Sequence, residues 1–191
     1  MMRIAQIIAP IKSLGPGERI GLWVQGCHRN CEGCISPEYQ GESGTDIPTT
    51  LLAQIIKDIQ LREKIDKITI SGGEPFEQPE ELKNLLREIR EGFSDVLLYT
   101  GFELKEIALG LCGESGKEAL EYIDVLIDSP YIDALNNKES ALKGSDNQVI
   151  HFLNKAKEKE YLDYIKRGRI VENKVINGMI YTIGIMNRGG E

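Results

Sequence analysis

Arg19-Ile20-Gly21-Leu22-Trp23-Val24-Gln25-Gly26-Cys27-His28-Arg29-Asn30-Cys31-Glu32-Gly33-Cys34 joins an apolar run to a loop that carries three cysteines. The first part, Arg19 to Gln25, is rich in Ile, Leu, Trp and Val and predicts a buried strand. It delivers the chain into a C-x3-C-x2-C loop at Cys27, Cys31 and Cys34. Thiols this close can converge on one inorganic centre. One candidate is a [4Fe–4S] cluster, where three thiolates leave one iron without a protein ligand and open to a small molecule. The other is a zinc ion, with His28 as a fourth ligand. His28 adjoins Cys27, so turning it toward the same ion is difficult. Gly26 and Gly33 let backbone approach a bulky centre in either case.

Outward from this loop, strand and helix signals alternate. Arg3 to Ile8 predicts a short strand and Gly15-Pro16-Gly17 a turn. Gly41 to Pro48 reads as a polar connection. Thr49 can cap a helix running to about Ile59, with Leu52, Ile55, Ile56 and Ile59 on one face. Lys67 to Ser71 predicts a strand stopped by Gly72-Gly73-Glu74-Pro75. Pro79, Glu80 and Glu81 start a helix whose apolar stripe is Leu82, Leu85, Leu86 and Ile89, with Gly92 just past its end. Val96 to Thr100 and Ile123 to Asp128 predict strands, with short helices at Glu103 to Leu109 and Lys117 to Tyr122 between them. This alternation favours a parallel sheet with crossover helices.

A complete eight-fold barrel needs about 250 residues, so the expected fold is a shortened, open partial (β/α) barrel. Catalytic groups cluster at strand ends in such folds, and Cys27, Gly72, Thr100 and Asp128 fall at or just after predicted ends. Tyr161 to Ile165 predicts a last helix, ended by Gly168. Ile170 to Ile176 and Met179 to Ile185 flank Asn177-Gly178, a strong hairpin signal. Residues 1–191 are expected to form a single domain, with a core of about 15–152 and a C-terminal extension of 153–191.

The chain has 191 residues, 41% hydrophobic and 28% charged, with a net charge of −7 and a pI near 5.1. This is the balance of a globular protein and carries no basic footprint for nucleic acid or an anionic membrane. The lysines of 155–159 alternate with glutamates and read as a solvated helix face. No stretch has the length of a membrane span and the N-terminus lacks a signal-peptide pattern, so a cytoplasmic location is expected. In that compartment clustered cysteines point to metal or catalysis before disulfides. Cys112 stands apart and reads as a small buried side chain.

Ser71-Gly72-Gly73-Glu74-Pro75 offers uncovered backbone and a carboxylate, which could accept hydrogen bonds from a ligand ammonium. An ordinary βα turn would look the same. Thr100 and Gly101 read as pocket lining or as a helix-entry turn. Asp128 reads as a ligand contact or as a turn cap. Asn147 and Gln148 suit loop bonding or ligand contact, and His151 reads as a satisfied core histidine.

The cysteine loop after the first barrel strand and Gly-Gly-Glu-Pro after the second resemble the radical S-adenosylmethionine (SAM) family. Within it the resemblance is to the activases of anaerobic ribonucleoside-triphosphate reductase. It rests on Gly15-Pro16-Gly17, Gly33-Cys34 with Pro37-Glu38, and Tyr99-Thr100-Gly101-Phe102. Further along it rests on Asp124-Val125-Leu126-Ile127-Asp128 with Pro130-Tyr131, and on Gly144-Ser145 with Asn147-Gln148.

The resemblance implies one [4Fe–4S] cluster per chain on Cys27, Cys31 and Cys34. It implies SAM contacts at Ser71, Gly72, Gly73, Glu74, Thr100 and Asp128, and an oxidoreductase that cleaves SAM reductively. It further implies a glycine on the reductase as the site of hydrogen abstraction, and a one-electron donor such as flavodoxin. An incompletely closed barrel leaves a side opening for a partner loop, and so small a chain has little material for a lid of its own. Two other readings stand beside this one. One is a related radical SAM enzyme acting on another peptide or a small molecule. The other is a non-catalytic zinc- or cluster-binding interaction module.

Overall fold

The computed structural model describes residues 1–186. The last five positions of the expected C-terminal extension, 187–191, lie outside the described residues. Among the described residues nine strands and five α-helices follow in chain order: β1 (Met2–Ile11), β2 (Arg19–Val24), β3 (Thr45–Ile47), α1 (Thr49–Glu63), β4 (Lys67–Gly72), α2 (Pro79–Ile89), β5 (Asp95–Tyr99), α3 (Leu104–Ala108), α4 (Gly113–Ala119), β6 (Val125–Asp128), β7 (Val149–Phe152), α5 (Glu158–Ile165), β8 (Val171–Ile176) and β9 (Met179–Gly184). Seven strands form one sheet in the order β3-β1-β2-β4-β5-β6-β7, and β8 pairs with β9 separately. The central four, β2, β4, β5 and β6, are parallel. β1 and β7 flank them antiparallel.

The sheet is open, with β3 and β7 at its edges. The expected open α/β architecture is therefore present, as a mostly parallel central sheet with a C-terminal hairpin. The connection read at Gly41 to Pro48 contains β3, which pairs Met2, Arg3 and Ile4 with Ile47, Asp46 and Thr45. The run after Gln148 contains β7. Both strands are short and partly polar, so neighbouring strands decide their conformation more than their own residues do. Pro48, not Thr49, occupies the N-cap of α1 and offers no side-chain cap. The helix before β6 starts at Gly113 rather than Lys117. Gly92 lies inside a 3-10 turn that continues α2, not beyond the helix.

Alternation along the parallel strands divides the core between two faces. Ile20, Leu22, Val24, Ile68, Ile70, Val96, Leu98 and Leu126 pack with the apolar sides of α1, α2 and α4, including Leu52, Ile56, Leu82, Leu85 and Ile89. The other face carries Trp23, Leu97, Val125 and Ile127. Leu97, Val125 and Ile127 meet Tyr161 and Tyr164 of α5. Trp23 meets Ile183 and Ile185 around the C-terminal hairpin. The last third of the chain thus closes the face that the crossover helices leave bare.

Between these layers Arg19 is fully buried and its Nη1 lies 2.6 Å from Asp95 Oδ2. Arg19 also donates to Thr69 Oγ1 at 2.6 Å, and the Tyr161 hydroxyl donates to Asp95 at 3.0 Å. A buried pair persists when its remaining hydrogen-bonding capacity is met, as it is here.

Candidate functional site

Parallel strands end on one edge of a sheet, and ligands of open α/β folds gather there. β2 leads to the cysteine loop, β4 to Gly73 and Glu74, β5 to Thr100, and β6 to Ser129. These ends surround an open cavity. Cys27, Cys31 and Cys34 line it together with Ser71, Gly72, Gly73, Glu74 and Thr100.

The loop is tied at its base. Gly26 N–H donates to Tyr39 O at 2.8 Å and Cys27 N–H to Gln40 O at 3.1 Å. The Gln25 side chain donates to Glu38 O and Gly41 O, at 3.2 and 2.7 Å. Gly26 takes φ +99°, which turns the chain out of β2 at little steric cost. The three thiols are free and partly accessible. Burial pushes the Cys27 thiol up to about 11. His28 turns elsewhere: its Nδ1 lies 2.7 Å from Glu77 Oε2, and its side chain is 87% exposed. It does not line the cavity, so the histidine-completed zinc site has no fourth ligand in that residue. Among the described residues no group of three Cys, His, Asp or Glu side chains is gathered to hold a metal ion. Three thiols that line one cavity are a donor set that suits an iron–sulfur cluster, in which three thiolates leave one iron free.

The Gly-Gly turn presses directly on this loop. Gly73 N–H donates to Val24 O and Glu74 N–H to Gly26 O, both at 2.8 Å. Gly72 has φ +102°, and a Cβ there would collide with Val24 O; a Cβ on Gly73 would collide with Gly26 O. The two glycines are thus needed for close approach of β4's end to the root of the cysteine loop.

Glu74 is buried. Its Oε1 accepts from Thr100 Oγ1 at 2.7 Å and Phe76 N–H at 3.0 Å, while Oε2 accepts from Gly101 N–H at 2.7 Å. Burial raises its pKa, and these donors together with Arg29 act in the opposite direction. The carboxylate anticipated for a ligand ammonium is therefore also the knot joining the ends of β4 and β5. Asp128 is buried but does not line the cavity. Its Oδ2 accepts from Leu104 N–H at 2.7 Å, its Oδ1 accepts from Ser129 Oγ at 3.1 Å, and His151 Nε2 lies 2.8 Å from Oδ2. His151, expected in the core, is about a quarter exposed beside that carboxylate. Asn147 donates to Pro130 O, whereas Gln148 accepts from Gly144 N–H and donates to Ser129 O. Gln148 borders the cavity. Cys112 is buried in the helical core, away from the other thiols.

Several site residues escape a reading of the chain. Arg29, inside the cysteine loop, lies with its guanidinium 4.0 Å over the Phe102 ring and its Nε 3.6 Å from Glu74 Oε2. A cation next to clustered thiols in an acidic chain was the available signal. Tyr99 lines the cavity with a buried hydroxyl that has no partner among the described residues, and burial pushes its phenol well above the ordinary value. Thr182 to Met186 form another wall, so the chain does supply material of its own to enclose the site. Nothing local marks those residues, because only their packing against β1 and β2 brings them there.

The chain matches the family model of the 4Fe-4S single cluster domain over residues 13–151. It is 30% identical over 146 residues to the anaerobic ribonucleoside-triphosphate reductase-activating protein of Escherichia coli strain K12, covering 73% of this chain and 91% of that protein. The protein of the same description from Enterobacteria phage T4 is 31% identical over 138 residues, 70% of this chain and 83% of the relative. That from Vibrio cholerae is 33% identical over 144 residues, 72% and 89%.

Proposed function

This chain belongs to the 4Fe-4S single cluster domain family and to the family of these activating proteins, and from that premise we propose that it activates anaerobic ribonucleoside-triphosphate reductase by radical SAM chemistry. The observation that carries the reading is one cavity lined by Cys27, Cys31, Cys34 and the Gly-Gly-Glu turn of the next strand. The open, mostly parallel sheet agrees with a partial barrel of the radical SAM type. Cys27, Cys31 and Cys34 hold a [4Fe–4S] cluster. Bound there, the cluster would supply the single electron for reductive cleavage of SAM, the chemistry that lets hydrogen be abstracted from a glycine Cα of the reductase.

The protein's own residues bind, orient and exclude water. The backbone of Ser71, Gly72 and Gly73 would meet the amino-acid end of SAM, with the Glu74 carboxylate beside it on the cavity lining. Thr100, held by Glu74, lines the same wall. Asp128 acts one step back, by holding the start of α3 next to Phe102. A one-electron donor such as flavodoxin completes the reaction.

The test is anaerobic reconstitution with iron and sulfide, reduction, and an assay for 5′-deoxyadenosine. Product is expected from the native chain and none from Cys31→Ala. Addition of the reductase should give a carbon-centred radical in electron spin resonance. A single tetrahedral zinc on the three thiols, with no nucleoside formed, overturns the reading.

A further inference from the structure

The family match ends at residue 151, yet the chain continues into the β8–β9 hairpin. The two faces of that hairpin are used differently. Glu172, Lys174, Ile183 and Tyr181 share one face through the pairs Glu172↔Ile183 and Lys174↔Tyr181. That face is seated on the body: Ile183 is buried with Ile8, Ile11, Leu14 and Trp23. Glu172 accepts from Lys12 N–H and Ser13 N–H at 2.6 and 2.8 Å.

The opposite face carries the pairs Val171↔Gly184, Asn173↔Thr182 and Val175↔Ile180. It holds no charged residue. Val175 and Ile180 are each 72% exposed, and Val171 is 48% exposed. In its middle Thr182 Oγ1 donates to Asn173 Oδ1 at 2.8 Å, so its polar pair is internally satisfied. At its far end β9 reaches the cavity: Thr182, Ile183 and Gly184 line it with the cysteines. An uncharged surface, with one self-paired polar couple between its aliphatic ends, therefore runs from the cavity mouth to the Asn177-Gly178 turn. Isolated exposed aliphatics need no explanation, but a cross-strand pair of them on a two-stranded sheet is a surface that invites a partner.

We infer that this face is the docking ledge for the protein substrate, and that it takes an uncharged apolar segment flanking the residue that enters the cavity. The inference rests on the proposed reading that the substrate is a protein glycine. Two features select this occupant. The ledge is continuous with the cavity, so a chain lying on it is aimed at the thiols. It also lacks charge in a protein of net charge −7, so recognition rests on apolar burial rather than on electrostatic steering.

The test is the double variant Val175→Lys/Ile180→Lys in the full-length, cluster-loaded protein, with Val175→Thr/Ile180→Thr as a milder pair should the lysines lower Tm. Three quantities are read: 5′-deoxyadenosine formed with SAM and dithionite alone, binding to the source organism's anaerobic ribonucleoside-triphosphate reductase, and radical spins on that reductase. Unchanged nucleoside formation with binding and spins reduced about tenfold or more is expected. A variant that binds and activates like the native chain overturns the ledge and leaves the proposed function standing. A native dimer that the substitutions dissociate, with activation intact, makes a second copy the occupant and also overturns it. A native chain that forms nucleoside but neither binds nor activates the reductase overturns the proposed target and the ledge together.

Discussion

Glu74 illustrates how one residue serves both fold and site. A carboxylate has about four lone-pair positions, and here they face Thr100, Phe76, Gly101 and Arg29. Glu74→Gln keeps the shape but points an amide N–H toward donors. It is expected to weaken SAM binding about tenfold or more, with iron content retained; equal loss of both would make the residue purely structural. Its titration has a definite sign. Burial lifts the carboxyl above its ordinary 4.5, so the folded chain binds more protons than the unfolded one between that value and the raised value. The stability Glu74 contributes is fully present below 4.5 and is lost as pH rises through the folded pKa. Denaturant titrations of native and Glu74→Gln chains across that window should show the native advantage falling with pH. A flat difference would mean that the four donors have cancelled the effect of burial.

At the scale of elements, two contacts decide whether the site assembles. The β4 turn fits against the root of the cysteine loop only because positions 72 and 73 lack a Cβ. Gly73→Ala must push the turn away from Gly26, and it is expected to lower cluster content, read as iron and sulfide per chain, with a stability loss above about 2 kcal/mol. Full loading would show that the two loops tolerate separation. The hairpin is held partly by Glu172, whose pKa is lowered by the backbone N–H groups of Lys12 and Ser13 and by Lys174, against the upward push of burial. A depressed carboxylate contributes stability above its ordinary 4.5 that is lost as pH falls through the folded value. Hydrogen exchange of β8 and β9 should therefore accelerate below that pH before the central strands respond. Simultaneous loss of protection would tie the hairpin to the whole core.

For the molecule as a whole, the Arg19–Asp95–Tyr161 cluster links the sheet to the C-terminal third. Asp95→Ala leaves a fully buried guanidinium without its partner and is expected to cost about 3–5 kcal/mol. Tyr161→Phe removes one hydrogen bond and should cost about 1 kcal/mol. Because the cluster spans β2, β5 and α5, denaturation followed at Trp23 and at the hairpin is expected to give one coincident transition. Two separate transitions would divide the chain and count against a single domain over 1–191.

The chain's own residues determined the cysteine loop, the glycine turn, the alternating strands and helices, and the Asn177-Gly178 hairpin, because ligand spacing, turn chemistry and side-chain period are local properties. Tertiary structure alone decided that β3 and β7 are strands, that Glu74 ties two strand ends, that His28 leaves the thiols for Glu77, and that Thr182 to Met186 wall the cavity. Those outcomes depend on partners far apart along the chain. Packing, not propensity, selects such partners, and it acts only once the sheet has brought them together.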